Sequence, residues 1–168
     1  MVNLAIQQWC TPFWFAAFDR HGCVDLLPAQ LAAMLKTQYL TNDLRGKVMR
    51  RELQKILARF QEQDIGTILL KGAATFTDDL YSSPAARTML DMDLLVRKER
   101  IETARNILLQ LGYEEIHDEG KELNGLPTDA RHAHINGYRK PKTPVIVELH
   151  YAILLSIVIP TLYLPDLI

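Results

Sequence analysis

Residues 89–96 read MLDMDLLV, with two aspartates two positions apart in an otherwise apolar run that ends at the charged Arg97. A run this short, bounded by charge, reads as a strand rather than a helix segment. On a strand, positions i and i+2 share a face, so Asp91 and Asp93 project side by side while Met92 and Leu94 turn toward a core. Two carboxylates held together raise each other's pKa unless a cation lies between them. A divalent metal is the simplest resolution, and hard oxygen donors suit Mg²⁺ or Mn²⁺ bound together with substrate phosphates. An isolated Asp-x-Asp is also what an ordinary strand with one polar face shows, so the flanking sequence has to decide.

Upstream, residues 67–72 (TILLKG) read as a short buried strand that passes at Lys71 and Gly72 into a short helix over 73–81. Glycine at that point lets a phosphate approach the backbone, and the helix start offers unpaired N–H donors to an anion. Downstream, 99–111 has the spacing of an amphipathic helix closed by Gly112, with Ile101, Ala104, Leu108 and Leu111 on one side. Residues 144–151 (PVIVELHY) read as a further strand in which Glu148 is a lone acid, costly to bury unpaired. If this strand lies beside the aspartate strand, Glu148 completes a three-carboxylate cluster. Two ions about 3.5–4 Å apart among such acids activate an attacking hydroxyl and hold the leaving phosphate oxygens. His150 shares a face with Glu148 and fits either a partner of that acid or a packed histidine.

Other polar residues leave alternatives open. Lys71 fits a surface position at a strand end or a phosphate contact, and Arg87 fits an ion pair with Asp78 or Asp79 or a phosphate contact. His132 and His134 fall two apart on an expected strand over 130–139, with no third soft ligand evident. A brief strand is expected at 113–117, a loop at 118–128 and a turn at 140–144.

The N-terminal third reads as helical. Leu4, Trp9, Phe13, Ala16 and Ala17 fall on one side of a helix over 3–20, which Pro12 is expected to kink or divide. Pro28 opens a long helical pattern through about Gln63. Val48, Leu53, Ile56, Leu57 and Phe60 form its core side, opposite a basic stripe of Lys47, Arg51, Lys55 and Arg59. That stripe is either a solvated face or a surface that steers a polyanion toward the carboxylates.

With 168 residues, 48% hydrophobic and 23% charged, the chain has the composition of a soluble globular protein. Its net charge of −1 exerts no general pull on nucleic acid, and no aromatic residues interleave with the basic stripe, so nucleic acid is not the expected partner. Two cysteines, Cys10 and Cys23, without a partner motif point to free thiols and a reducing, cytoplasmic setting. The apolar run at 152–159 is too short to span a bilayer. The apolar tail TLYLPDLI looks like a surface that a second copy of the chain or a missing C-terminal domain would cover.

The succession LLKGAA, LY, R-x-M-L-D-M-D-L-L-V, a helix ending LGY, a histidine-containing strand and VELHY resembles the nucleotidyltransferase superfamily, the DNA polymerase β-like palm fold. More narrowly, it is similar to the bacterial uncharacterised nucleotidyltransferases found near polysaccharide-biosynthesis genes. The resemblance covers residues 69–151. It implies an α+β fold, with a small mixed sheet flanked by helices and preceded by a helical extension. The corresponding division is a helical region at 1–63 packing on a core at 64–151, followed by an apolar segment at 152–168.

Carried onto this chain, the resemblance implies that Asp91, Asp93 and Glu148 are the metal ligands and catalytic acids, with Glu148 close to the attacking hydroxyl. Gly72 would cradle a nucleoside triphosphate, while Lys71 and Arg87 would contact phosphate. Ala73 departs from the pattern, because the superfamily has Ser or a second Gly after the glycine, and the glycine-to-aspartate spacing is longer than usual. The implied function is Mg²⁺- or Mn²⁺-dependent transfer of a nucleoside monophosphate from an NTP, such as ATP, to a hydroxyl or phosphate acceptor. The alternative is a catalytically inactive nucleotide-binding or protein-interaction module of the same fold.

Overall fold

A computed structural model describes residues 9–76, 83–116 and 137–152. The sequence readings at His132, His134, Asp78, Asp79, the 118–128 loop and the 153–168 tail lie outside the described residues.

Helix α1, Thr11–Arg20, starts where the sequence reading placed a break. Pro12 lies in its first turn, where a fixed φ suits the helix and the missing N–H is not needed, so proline opens the helix instead of kinking it. The buried face also differs from the expected one. Phe15 packs against Tyr39 at 5.1 Å between ring centroids, while Trp9 and Phe13 are exposed. Gly22, at φ +63, reverses the chain after α1.

Helix α2, Ala29–Glu62, follows Pro28 as its spacing predicts. At 34 residues it is about 50 Å long. Met49, Leu53, Ile56 and Phe60 recur on one side and enter the main core. The basic stripe is largely balanced from within the helix: Lys47 pairs with Asp43, Lys55 with Glu52 and Arg59 with Glu62. A solvated face accounts for it better than a steering surface does.

Strands β1 (Thr67–Leu70), β2 (Met92–Val96), β3 (Glu114–Glu115), β4 (Tyr138–Arg139) and β5 (Ile146–His150) form one mixed sheet in the order β1-β2-β5-β4-β3. The β2–β5 pair is parallel and the other pairs are antiparallel. β1 is an edge strand and is only partly covered, with Ile68 half-exposed, so the expectation of a buried strand is corrected. A four-residue helix α3, Lys71–Ala74, follows directly, and helix α4, Ile101–Gln110, follows β2 after a 3₁₀ turn. β2 is shorter than the run that encodes it: every residue from Met92 to Val96 is buried, and Asp91 stands just before the strand.

Alternation along β2 and β5 decides what faces the helices. Met92, Leu94 and Val96 of β2 and Val147 and Leu149 of β5 join Leu53, Ile56 and Phe60 of α2 and Ala104, Ile107 and Leu108 of α4 in one apolar cluster. Asp93 therefore points to the other side of the sheet. The fold is α+β, with helices on one face of a small mixed sheet. No helix among the described residues is long and apolar enough to cross a membrane.

One charge sits at the edge of this core. Glu52 of α2 is buried and accepts from Lys140 Nζ and Lys55 Nζ, each at 2.6 Å, and from the Tyr113 hydroxyl at 3.4 Å. It thereby joins α2 to the chain before β3 and to the turn between β4 and β5. Burial pushes its carboxyl up, but the two lysines outweigh that and hold it below the usual glutamate range. Burial and the Glu52 charge push the Tyr113 phenol up. A lowered carboxyl contributes stability that is complete above the unfolded value, about 4.3, and is lost as the pH falls through the folded value. Glu52→Gln should thus cost about 1–3 kcal/mol at neutral pH. The gap from wild type should narrow below about pH 4, as read by urea unfolding at both pH values.

Candidate active site

The parallel pairing of β2 with β5 sets Asp93 opposite Glu148 and Leu95 opposite His150. Paired residues share a face, as do Glu148 and His150 two apart on one strand, so all three polar side chains gather on the side away from the helices. Asp93 is 1% exposed. Its Oδ1 meets His150 Nε2 at 2.9 Å, and the same imidazole nitrogen lies 3.7 Å from Glu148 Oε2. One donor atom from each of Asp93, Glu148 and His150 lies within 4.8 Å of the other two, so this group could hold a metal ion.

A cation also reaches the group from β1. Leu70 pairs with Asp93 across the sheet, and the next residue, Lys71, has φ 46 and begins α3. Its ammonium donates to Asp93 Oδ1 at 2.6 Å, although most of its side chain is exposed. That bond is the main reason the Lys71 ammonium is held above its ordinary value, with further help from Glu148 and Asp91. Gly72 is buried beneath this contact. A Cβ there would fall 2.6 Å from Met89 Sδ and 3.5 Å from Arg87 Nη2.

A family model described as "Uncharacterised nucleotidyltransferase" matches residues 1–161. The chain belongs to that family. The match takes in the N-terminal helices as well as the sheet. No curated protein and no solved structure matches.

In this nucleotidyltransferase-family chain, the residues singled out from sequence occupy distinct places. Asp93 and Glu148 meet as expected from their strands. Asp91 is half-buried just outside the close group. Burial first, then the charges of Asp93 and Glu148, raise its carboxyl, while Lys71 opposes them. Ala73 is fully buried within the apolar cluster, so a serine there would put its hydroxyl among apolar side chains. Arg87 is half-buried beside Gly72, and its backbone carbonyl accepts from Asn42 Nδ2 at 2.8 Å.

Two members of the site were not singled out for it. His150, expected from sequence as either a partner of Glu148 or a packed histidine, touches Asp93 directly. The signal was present in its two-residue offset on PVIVELHY. The nearby Glu148 carboxylate, then Asp93, raise the imidazole against the opposing effect of burial. Asn42, buried on α2, donates to the carbonyls of Ala85 and Arg87 at 2.8 Å each. No sequence pattern marks a mid-helix asparagine for that purpose.

The tight fit of Gly72 against Met89 yields a direct test. Gly72→Ala should destabilise the protein by about 1–3 kcal/mol through overpacking. In a Met89→Ala background the same change should cost much less, a coupling that a double-mutant cycle in urea would measure.

Proposed function

We propose that this chain is a metal-dependent nucleotidyltransferase that moves a nucleoside monophosphate from an NTP to a hydroxyl or phosphate acceptor and releases pyrophosphate. The observation that carries the reading is the convergence of Asp93, Glu148 and His150 on one face of the sheet, in a chain of this family. In the reaction, an acceptor oxygen attacks the α-phosphorus, the bond from that phosphorus to the bridging oxygen breaks, and pyrophosphate leaves with the electron pair.

Asp91, Asp93 and Glu148 are the proposed metal ligands. Their oxygens suit Mg²⁺, and the imidazole of His150 beside them makes Mn²⁺ an equally good fit to the donor set. A bound ion would neutralise the acids and hold the phosphate oxygens. Glu148, less buried than Asp93, is the proposed acceptor of the hydroxyl proton. Lys71, Gly72, Ala73 and Arg87 form the proposed triphosphate side. Lys71 is tied to Asp93 through Oδ1, so its ammonium would compete with a metal for that carboxylate. Its mostly exposed stem lets it move from carboxylate to phosphate. In this reading residues 64–151 are the catalytic core, with the helical region at 1–63 backing the sheet.

A second reading, an inactive nucleotide-binding module, draws on Ala73, which buries a methyl where the superfamily carries Ser or Gly. Pyrophosphate release from any NTP in the presence of acceptor extracts would exclude it.

Calorimetric titration with Mn²⁺ and each of the four NTPs should show metal-dependent binding to wild type and its loss in Asp93→Asn. No such binding to wild type would sink the transferase reading. Lys71→Met should split the two affinities. Metal should bind several-fold more tightly once the competing ammonium is gone, while nucleotide should bind about tenfold more weakly, the loss of about 1.4 kcal/mol expected for one charge-assisted contact.

A further inference from the structure

Helix α2 holds the segment that leads into the acids through three polar side chains spaced three residues apart. The Tyr39 hydroxyl meets Ser83 Oγ at 2.7 Å, and Asn42 donates to the carbonyls of Ala85 and Arg87. Arg45 comes third, with Nη2 3.5 Å from the carbonyl of Leu90, the residue before Asp91. The first two are full hydrogen bonds, whereas the third is at the edge of bonding range. Arg45 Nε is buried with no hydrogen-bond partner, and among the described residues the guanidinium has no carboxylate to pair with. A half-buried cation with donors to spare is a group that folded proteins ordinarily satisfy.

Arg45 lines a half-open cleft of about 290 Å³ between α1, α2 and the segment at 83–88, together with Trp9, Met34, Gln38, Thr41 and Thr88. Among the described residues, Arg45 is the one charged group in its walls. Trp9 stands there at φ 56, a left-handed conformation that is uncommon for a bulky residue. Its carbonyl accepts from Thr88 Oγ1 at 3.0 Å, which ties the tryptophan to the same segment. The volume is at the lower end for small-molecule sites, which run from about 300 Å³ upward. The cleft therefore joins an indole wall, a guanidinium and several neutral polar groups, and its guanidinium reaches toward the carbonyl of Leu90, next to Asp91.

We propose that this cleft seats the acceptor, and that the acceptor is a small molecule carrying a phosphomonoester or carboxylate. Arg45 takes the anionic group in the bidentate manner guanidinium favours, and the apolar or ring portion lies against Trp9. This rests on the transferase reading, since transfer needs a second substrate reaching the acids from a side other than Lys71 and Gly72. Arg45 approaches along the Leu90 side of Asp91, and Lys71 reaches Asp93 from β1.

The chain has two tryptophans, so Trp14→Phe leaves Trp9 as its sole indole reporter. In that background, without nucleotide, phenyl phosphate, benzoate and phenol would be titrated against tryptophan fluorescence. Saturable quenching by phenyl phosphate or benzoate but not phenol is expected, and the stronger of the two identifies the anion. Arg45→Gln should weaken it at least tenfold, and Arg45→Lys, which keeps the charge but not the fork, should weaken it by less. Asp93→Asn and Lys71→Met should leave it unchanged, and saturating NTP should not displace the probe. Quenching by neither anion, equal affinity in a folded Arg45→Gln, or displacement by NTP would overturn the assignment. Failure of the transferase reading would appear separately, as absent metal-dependent nucleotide binding with anion quenching intact, and would remove the acceptor role.

Discussion

A carboxylate sealed in a sheet at 1% exposure is tolerable only if something positive or hydrogen-bonding meets it, and at Asp93 both Lys71 and His150 do so through the same oxygen. The strand order follows from the same requirement. β1 must lie beside β2 to bring Lys71 to Asp93, and β5 must lie on its other side to bring Glu148 and His150. The parallel sense of β2 and β5 places Glu148 level with Asp93. β2 is thus both the most buried strand of the sheet and the one that carries the carboxylate on which these charges converge.

This burial of charge depends on a firm backing. α2 and α4 fill the opposite face of the sheet with leucine, isoleucine and phenylalanine side chains, which leaves the odd-numbered positions of β2 to project away from the helices. α2 also grips the segment at 83–90 through Tyr39 and Asn42, so the approach to Asp91 is set by a helix instead of by the segment's own structure. Glu52 repeats the principle on a smaller scale. Its charge is tolerated because two lysines from separate parts of the chain converge on it.

Much of this arrangement can be read from local patterns. The limits of α2, the glycine after α1, the aspartate strand and the Glu148 strand follow from hydrophobic period and turn chemistry. What those patterns do not carry is pairing. TILL is as apolar as a central strand, yet it forms the sheet edge, because edge position is set by which strands meet, not by composition. Repulsion between acids is visible in MLDMDLLV, and a metal was the obvious remedy. That Lys71 and His150 also supply counter-charge depends on contacts between residues far apart in the chain. Of the two expectations for Pro12, a kink or a division, the kink is absent: proline disrupts a helix only from its interior, and the helix that holds Pro12 begins at Thr11.

The route between β2 and β5 bears on how the protein forms. Asp93 and His150 are 57 positions apart, and α4, β3 and β4 all lie between them. Contacts of such long separation are slow to form, because the intervening loop must be closed before they contribute. The polar centre is complete only once β5, the final described strand, has docked on β2. Any ligand of that centre consequently binds the finished protein alone, and by mass action it deepens the native well without hastening the climb toward it.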